Sequence, residues 1–224
     1  MIASRLFALT AAVSALLLAT AAPAAPPAPA PLEGEPATFD ILGGGSQKGA
    51  WAVGVTGGWG WSSLRAQLGV GEGVTPLVVL DTALFRRWEP MAGISGRFVD
   101  RPDGRLSGEL IVGWTVTTGV LAASGPRITG RLRLMGLLGR VAPWLAVATG
   151  HTVYFERTEL DTAGGVEATT TARHEWAPII EGGVAIAITK HIGLDVGLDY
   201  RFVGAPDTLA LPGFHVGVQF GGGR

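Results

Sequence analysis

The chain has 224 residues, 47% of them hydrophobic and 16% charged, with 35 Gly, 14 Pro and no Cys. That length suffices for one domain with a sizeable core, and a formal net charge of -1 leaves no basic footprint for nucleic acid. Without Cys there is no disulfide scaffold, no thiol nucleophile and no lipidated N-terminal cysteine.

Residues 1–24 read as a secretory signal. Arg5 supplies the positive start, Leu6 to Leu18 the apolar stretch, and Ala22-Pro23-Ala24 or Ala19-Thr20-Ala21 the small-residue cleavage site. A single N-terminal membrane anchor is the alternative, but it lacks a clear uniformly apolar span of about 20 residues. Residues 25–48 are rich in Pro, Ala and Gly without periodicity, which predicts a disordered lead-in. The folded unit is expected over 49–224. Gly and charges interrupt every later apolar run, so a membrane-crossing form of this chain must be a closed barrel.

From Gly49 onward, about ten segments alternate with the period of two that marks a β-strand. The first sets Trp51, Val53 and Val55 against Ala52, Gly54 and Thr56. The second sets Leu64, Ala66, Leu68 and Val70 against Ser63, Arg65, Gln67 and Gly69. Val78, Leu80, Thr82 and Leu84 mark the apolar phase of the third, and Ala92, Ile94, Gly96 and Phe98 that of the fourth. The fifth opposes Leu106, Leu110, Val112, Trp114 and Val116 to Ser107, Glu109 and Thr115. The sixth opposes Ile128, Leu132 and Leu134 to Thr129, Arg131 and Arg133. The seventh, Leu145 to Arg157, carries His151 in its apolar phase. The eighth holds Trp176, Ile180, Val184 and Ile186 opposite Glu181, Gly183 and Ala185. The last two are the clearest: Ile192, Leu194, Val196, Leu198, Tyr200 and Phe202 share one face and Asp195, Asp199 and Arg201 the other, followed by Phe214, Val216, Val218 and Phe220 against His215, Gly217 and Gln219.

Connections alternate in length. Gly71–Gly73, Val99–Gly104, Gly139–Pro143 and Thr189–His191 are short, whereas Leu160–Arg173 and Val203–Leu211 predict longer loops at the opposite end. Aromatics cluster toward strand ends, as interfacial girdles do. Trp59, Trp61, Trp88, Trp114, Trp176, Tyr200 and Phe202 fall at one end, and Trp51, Trp144 and Phe220 at the other.

On this pattern over Gly49 to Phe220, the chain resembles the small single-chain outer-membrane β-barrel proteins of Gram-negative bacteria. The resemblance includes a C-terminal recognition strand, Phe214-x-Val216-x-Val218-x-Phe220, although Gly221-Gly222-Gly223-Arg224 follows the final aromatic. It implies an all-β, antiparallel up-and-down transmembrane β-barrel of about ten strands, with eight as the alternative count. It further implies an outer-membrane location, contacts with outer-membrane lipid, engagement of the barrel assembly machinery through Phe214–Phe220, and a monomer.

The opposite face predicts a lumen charge network of Arg65, Asp81, Arg97, Glu109, Arg131, Arg133, Glu181, Asp195, Asp199 and Arg201. Its signs balance. A barrel of eight to ten strands is about wide enough to be filled by side chains, so a structural plug is expected over a pore or proton path. The function expected is a structural or surface-interaction role, with no catalytic, cofactor or metal site. Alternatives from other classes are a barrel-embedded lipid-modifying hydrolase and a secreted lipocalin-like barrel with its apolar face inward. For the hydrolase, His151 with Glu156 is a candidate pair, but the seventh strand offers no Ser. Asp161, His174 and Glu175 make a loose version of a rim protease site, and His174 with Glu175 is too sparse for a metal by spacing. Gly43–Gly45 and Gly221–Gly223 do not lie between a strand and a helix, which rules out a phosphate loop.

Overall fold

The computed structural model describes residues 48–59, 61–70, 74–83, 86–118, 123–162, 165–203 and 209–222, with side chains described for all of these except 156–168, 203 and 209–211. The expected signal segment lies outside the described residues, as does the expected lead-in apart from Lys48.

Ten strands follow one another: β1 Trp51–Gly58, β2 Trp61–Leu68, β3 Val74–Ala83, β4 Arg87–Arg101, β5 Gly104–Thr117, β6 Ser124–Gly136, β7 Val141–Thr162, β8 Gly165–Ala187, β9 Ile192–Val203 and β10 Leu209–Gly222. Each pairs antiparallel with its neighbour in the chain, and β1 pairs with β10 from Trp51↔Gly222 to Gly58↔His215, closing the barrel. Closure leaves no sheet edge along the paired region. The strand count is ten, so the alternative of eight falls.

The alternation in sequence sets the two faces. Val55 (52% exposed), Leu110 (49%) and Leu198 (64%) point out, while their neighbours Gly54, Glu109 and Asp199 are buried inside. A soluble lipocalin-type barrel needs the reverse orientation, with apolar side chains in and charges out, and these faces contradict it.

At the end that carries the termini, connections are tight. β6 turns into β7 through a two-residue loop, Gly139-Arg140, closed by reciprocal backbone bonds between Leu138 and Val141. Gly139 holds φ at 68°, the left-handed value that hairpin turns of this length require.

The opposite end departs from expectation. Instead of a loop over Leu160–Arg173, β7 and β8 continue as paired strands to Thr162↔Gly165. Their neighbours stop earlier: β6 pairs with β7 only as far as Phe155, and β9 with β8 only as far as Ile179. The run Ala168-Thr169-Thr170-Thr171 reads as polar loop by composition, but β-branched Thr fits an extended, paired backbone. Likewise β10 begins at Leu209, well before Phe214, because Leu209 to Gly213 pair with Val203 to Asp199. In β4, a bulge between Arg97 and Val99 gives Phe98 no partner on β5 and shifts the register at the end near the termini.

Candidate functional site

Charged side chains from eight strands converge inside the barrel, and Glu109 on β5 is their centre. Arg65 on β2 donates two bonds to it, Nη1 to Oε2 at 3.0 Å and Nη2 to Oε1 at 2.7 Å. Arg131 on β6 donates to Glu109 Oε2 at 3.3 Å and, with its other nitrogen, to Glu181 Oε1 on β8 at 2.9 Å. Arg133 Nη1 lies 3.6 Å from Glu109 Oε1. One buried carboxylate is thus met by three guanidinium groups, and the bidentate fork of Arg65 fixes its plane. Asp81 on β3, opposite Ser63 in the β2–β3 ladder, lines the same lumen as Arg131 and Arg201.

A second knot lies toward the end remote from the termini. Arg87 Nε donates to Glu89 at 2.6 Å and its Nη1 to Glu175 at 3.1 Å, tying β4 to β8 across the barrel. Thr115 Oγ1 donates to Glu89 at 3.2 Å, and Arg127 approaches the same carboxylate at 3.4 Å while donating to Thr152 at 3.0 Å. Trp61 meets two cations: the guanidinium of Arg201 is 4.1 Å from its ring centre and that of Arg87 5.8 Å.

The third group joins aromatic rings to carboxylates. Trp144 Nε1 donates to Asp195 at 2.8 Å, and the Trp144 ring stacks on His215 at 5.8 Å. His215 Nε2 lies 3.3 Å from Asp195 and Nδ1 4.0 Å from Asp199, whose Oδ2 accepts from Arg201 Nε at 2.7 Å. Glycine makes room for these rings. A Cβ on Gly197 would stand 2.5 Å from His215 Cε1, whereas one on Gly183 would first meet the β9 backbone at Val196 O and Gly197 Cα and only then Trp144 Cζ2 at 3.0 Å.

Nine of the ten expected lumen charges face this interior. Arg97 stands apart at the rim near the termini, where it donates to Asp100 at 2.7 Å, and Arg105 donates to the same carboxylate at 2.9 Å. Arg97 is still in register opposite Ser107, before the bulge, so it keeps the inward phase and stands at the rim because β4 reaches that end there. Sequence reasoning missed Arg87, Glu89, Arg127, Glu175 and His215. The signal was available: Glu89 is in phase with Ser95, and Arg127 with Arg131 and Arg133, once β4 and β6 are allowed to start earlier.

Two girdle assignments need correction. Trp144 is 5% exposed and Trp61 lines the lumen cavity, so both turn inward. Parity requires it, since Leu145 and Leu64 point out. Trp51, Trp88, Trp114, Tyr200 and Phe220 are exposed on the outer face near strand ends, Trp176 is exposed on the outer face in the middle of β8, Trp59 is exposed just beyond β1, and Phe202 is half-buried.

Two apolar clusters also line the interior. Met135, Ala142, Trp144, Ala146, Ala185 and Ala187 pack together toward the end with the termini, and Leu77, Val79, Met91 and Ile111 form the other. The second cluster lies at the level of the ion pairs, with Val79 opposite Arg65 in the β2–β3 ladder. Among the described residues no group of three His, Cys, Asp or Glu is placed to hold a metal ion. Of the candidate enzyme residues, His174 faces out and Glu175 faces in toward Arg87, so these two do not share a site, and the described contacts of His151 are His174 and Trp176. The side chains of Glu156 and Asp161 lie outside the described residues.

No protein-family model matches the chain, and no curated protein shows significant similarity to it. Among solved structures, the N-terminal β-barrel domain of Pseudomonas aeruginosa OprF is 8% identical, with 79% of this chain and 100% of that one covered at a TM-score of 0.39. Neisserial surface protein A is 13% identical, covering 78% of this chain and 98% of its own at 0.36. The outer membrane protein OprG from Pseudomonas aeruginosa is 9% identical, covering 80% and 99% at 0.34. Scores and identities this low carry no inference about function, which has to come from this chain's own residues.

Proposed function

We propose that this protein is an integral outer-membrane β-barrel whose ion-paired interior seals it, serving a structural or surface-interaction role. The observation that supports this most is the inversion of its faces. Large apolar side chains stand exposed on the outer face of all ten strands, from Val55 and Leu64 to Leu198 and Phe214, while Glu109, Arg133, Glu181 and Asp195 are buried inside. Water would penalise that outer face over a far larger area than a soluble monomer exposes. Hydrocarbon would not, and a closed barrel satisfies its backbone within the wall.

In this reading the termini and tight turns lie on the periplasmic side, and the long β7–β8 hairpin reaches outward from the cell. Trp88, Trp114, Trp176 and Tyr200 mark the outer interface, and Trp51 with Phe220 the inner one. The strand Phe214–Phe220 is the segment offered to the barrel assembly machinery, and the barrel works as a monomer in lipid.

Cell fractionation tests this. The protein is expected in detergent-extracted outer membranes, with a gel mobility that changes on boiling because a closed barrel resists detergent unfolding. Recovery in the soluble periplasmic fraction would overturn it.

A further inference from the structure

On the outer surface, where β7 and β8 begin to extend beyond their neighbours, two histidines meet. His151 Nε2 lies 3.2 Å from His174 Nδ1, with the rings 5.3 Å apart and 14° from parallel. Strand pairing holds them: His151 is opposite Trp176 and His174 opposite Val153, so the two imidazoles are diagonal neighbours on one face. The indole of Trp176, directly opposite His151 on β8, stacks on it at 4.3 Å. Nothing in the interior network uses these residues.

We propose that His151 and His174 chelate a borderline divalent transition-metal ion, of which copper(II) is bound most tightly. Two imidazole nitrogens about 2.0–2.1 Å from one ion lie about 2.8–2.9 Å apart when cis in a tetragonal site and about 3.3–3.4 Å apart in a tetrahedral one, and the separation present here falls between the two. Imidazole favours copper, nickel and zinc over the hard ions magnesium and calcium, and the Irving–Williams order puts copper first. An anionic lipid headgroup fits less well. It would call for two protonated rings, whereas the 3.2 Å nitrogen–nitrogen contact is a hydrogen bond in which one ring donates and the other accepts, and a metal ion bound by both nitrogens displaces that proton. Among the described residues no third His, Cys, Asp or Glu joins the pair, so solvent completes the coordination. The backbone ladder sets the spacing in advance, which lowers the ordering cost of binding.

Titration of copper(II) chloride into the untagged, full-length barrel in detergent micelles tests the site, followed by tryptophan fluorescence and electron paramagnetic resonance. One ion per chain is expected, with nitrogen hyperfine structure from two imidazoles and quenching of Trp176. His151→Ala and His174→Ala should each weaken binding roughly 100-fold through loss of chelation. His174→Gln repeats the test with a side chain of closer size. His191→Ala should leave binding unchanged, and Trp176→Phe should reduce the quenching while preserving the resonance signal. Retained heat-dependent gel mobility identifies the folded variants. Equal binding by wild type and the His151→Ala/His174→Ala double variant, or a signal from one nitrogen only, would overturn the proposal.

Discussion

Glu109 shows how one residue can organise this interior. It is buried, and three arginines from two other strands pair with it, of which Arg131 also holds Glu181. Removing one partner of a buried pair leaves the others uncompensated, whereas the intact network gains little over a well-packed apolar interior. Glu109→Gln is therefore expected to cost about 3–5 kcal/mol, read from denaturant unfolding in detergent by tryptophan fluorescence. Leu110→Val, one residue away on the outer face, should move the same transition far less. Gly197 exerts its effect through space alone. Its missing side chain accommodates His215, so Gly197→Ala should cost about 1–3 kcal/mol by overpacking. Combining it with His215→Ala should recover part of that loss in a double-mutant cycle, and simple additivity would show that the ring is not what the methyl group meets.

At the scale of the strand, the phase of each element was legible and its length was not. Alternation fixed which residues of β5, β6 and β9 face inward, because shifting a strand by one residue exchanges its faces completely. Ends are harder, since the features that stop a strand are weak: Ala168 to Thr171 look like loop by polarity and pair as strand. The charges missed, Arg87, Glu89 and Arg127, sit where β4 and β6 run on past the expected ends. Trp144 and Trp61 were misplaced for another reason. Their nearness to strand ends drew attention from their parity, and an indole that can donate to Asp195 tolerates the lumen well. The His151–His174 contact depended on cross-strand register, which no single strand reveals. Strand β10 carries a test of its own. Phe220 is exposed on the outer face opposite Val53, and Gly221 and Gly222 still pair with β1. Phe220→Asp should sharply lower the amount of protein in outer membranes, measured by immunoblot of fractions, while deletion of Gly223 and Arg224 should leave it unchanged.

For the whole molecule, the decisive feature is which face of the wall meets hydrocarbon. Leu198, in the middle of β9, has 64% of its surface exposed, beside the buried Asp199. Leu198→Arg should destabilise the barrel in liposomes by about 2–4 kcal/mol if it lies near the bilayer midplane. The same change on a water-facing strand would be almost silent. The most direct measurement exploits the lack of cysteine. Single cysteines at Ile192, Leu194, Val196, Leu198 and Tyr200, each carrying a nitroxide label in liposomes, report collision with oxygen, which concentrates in hydrocarbon, and with a water-soluble nickel complex, which is excluded from it. The expected profile has oxygen collisions highest near Val196 and Leu198 and nickel collisions rising toward both ends of the strand. Uniform access of the nickel complex at all five positions would place this face in water and contradict a membrane-spanning barrel.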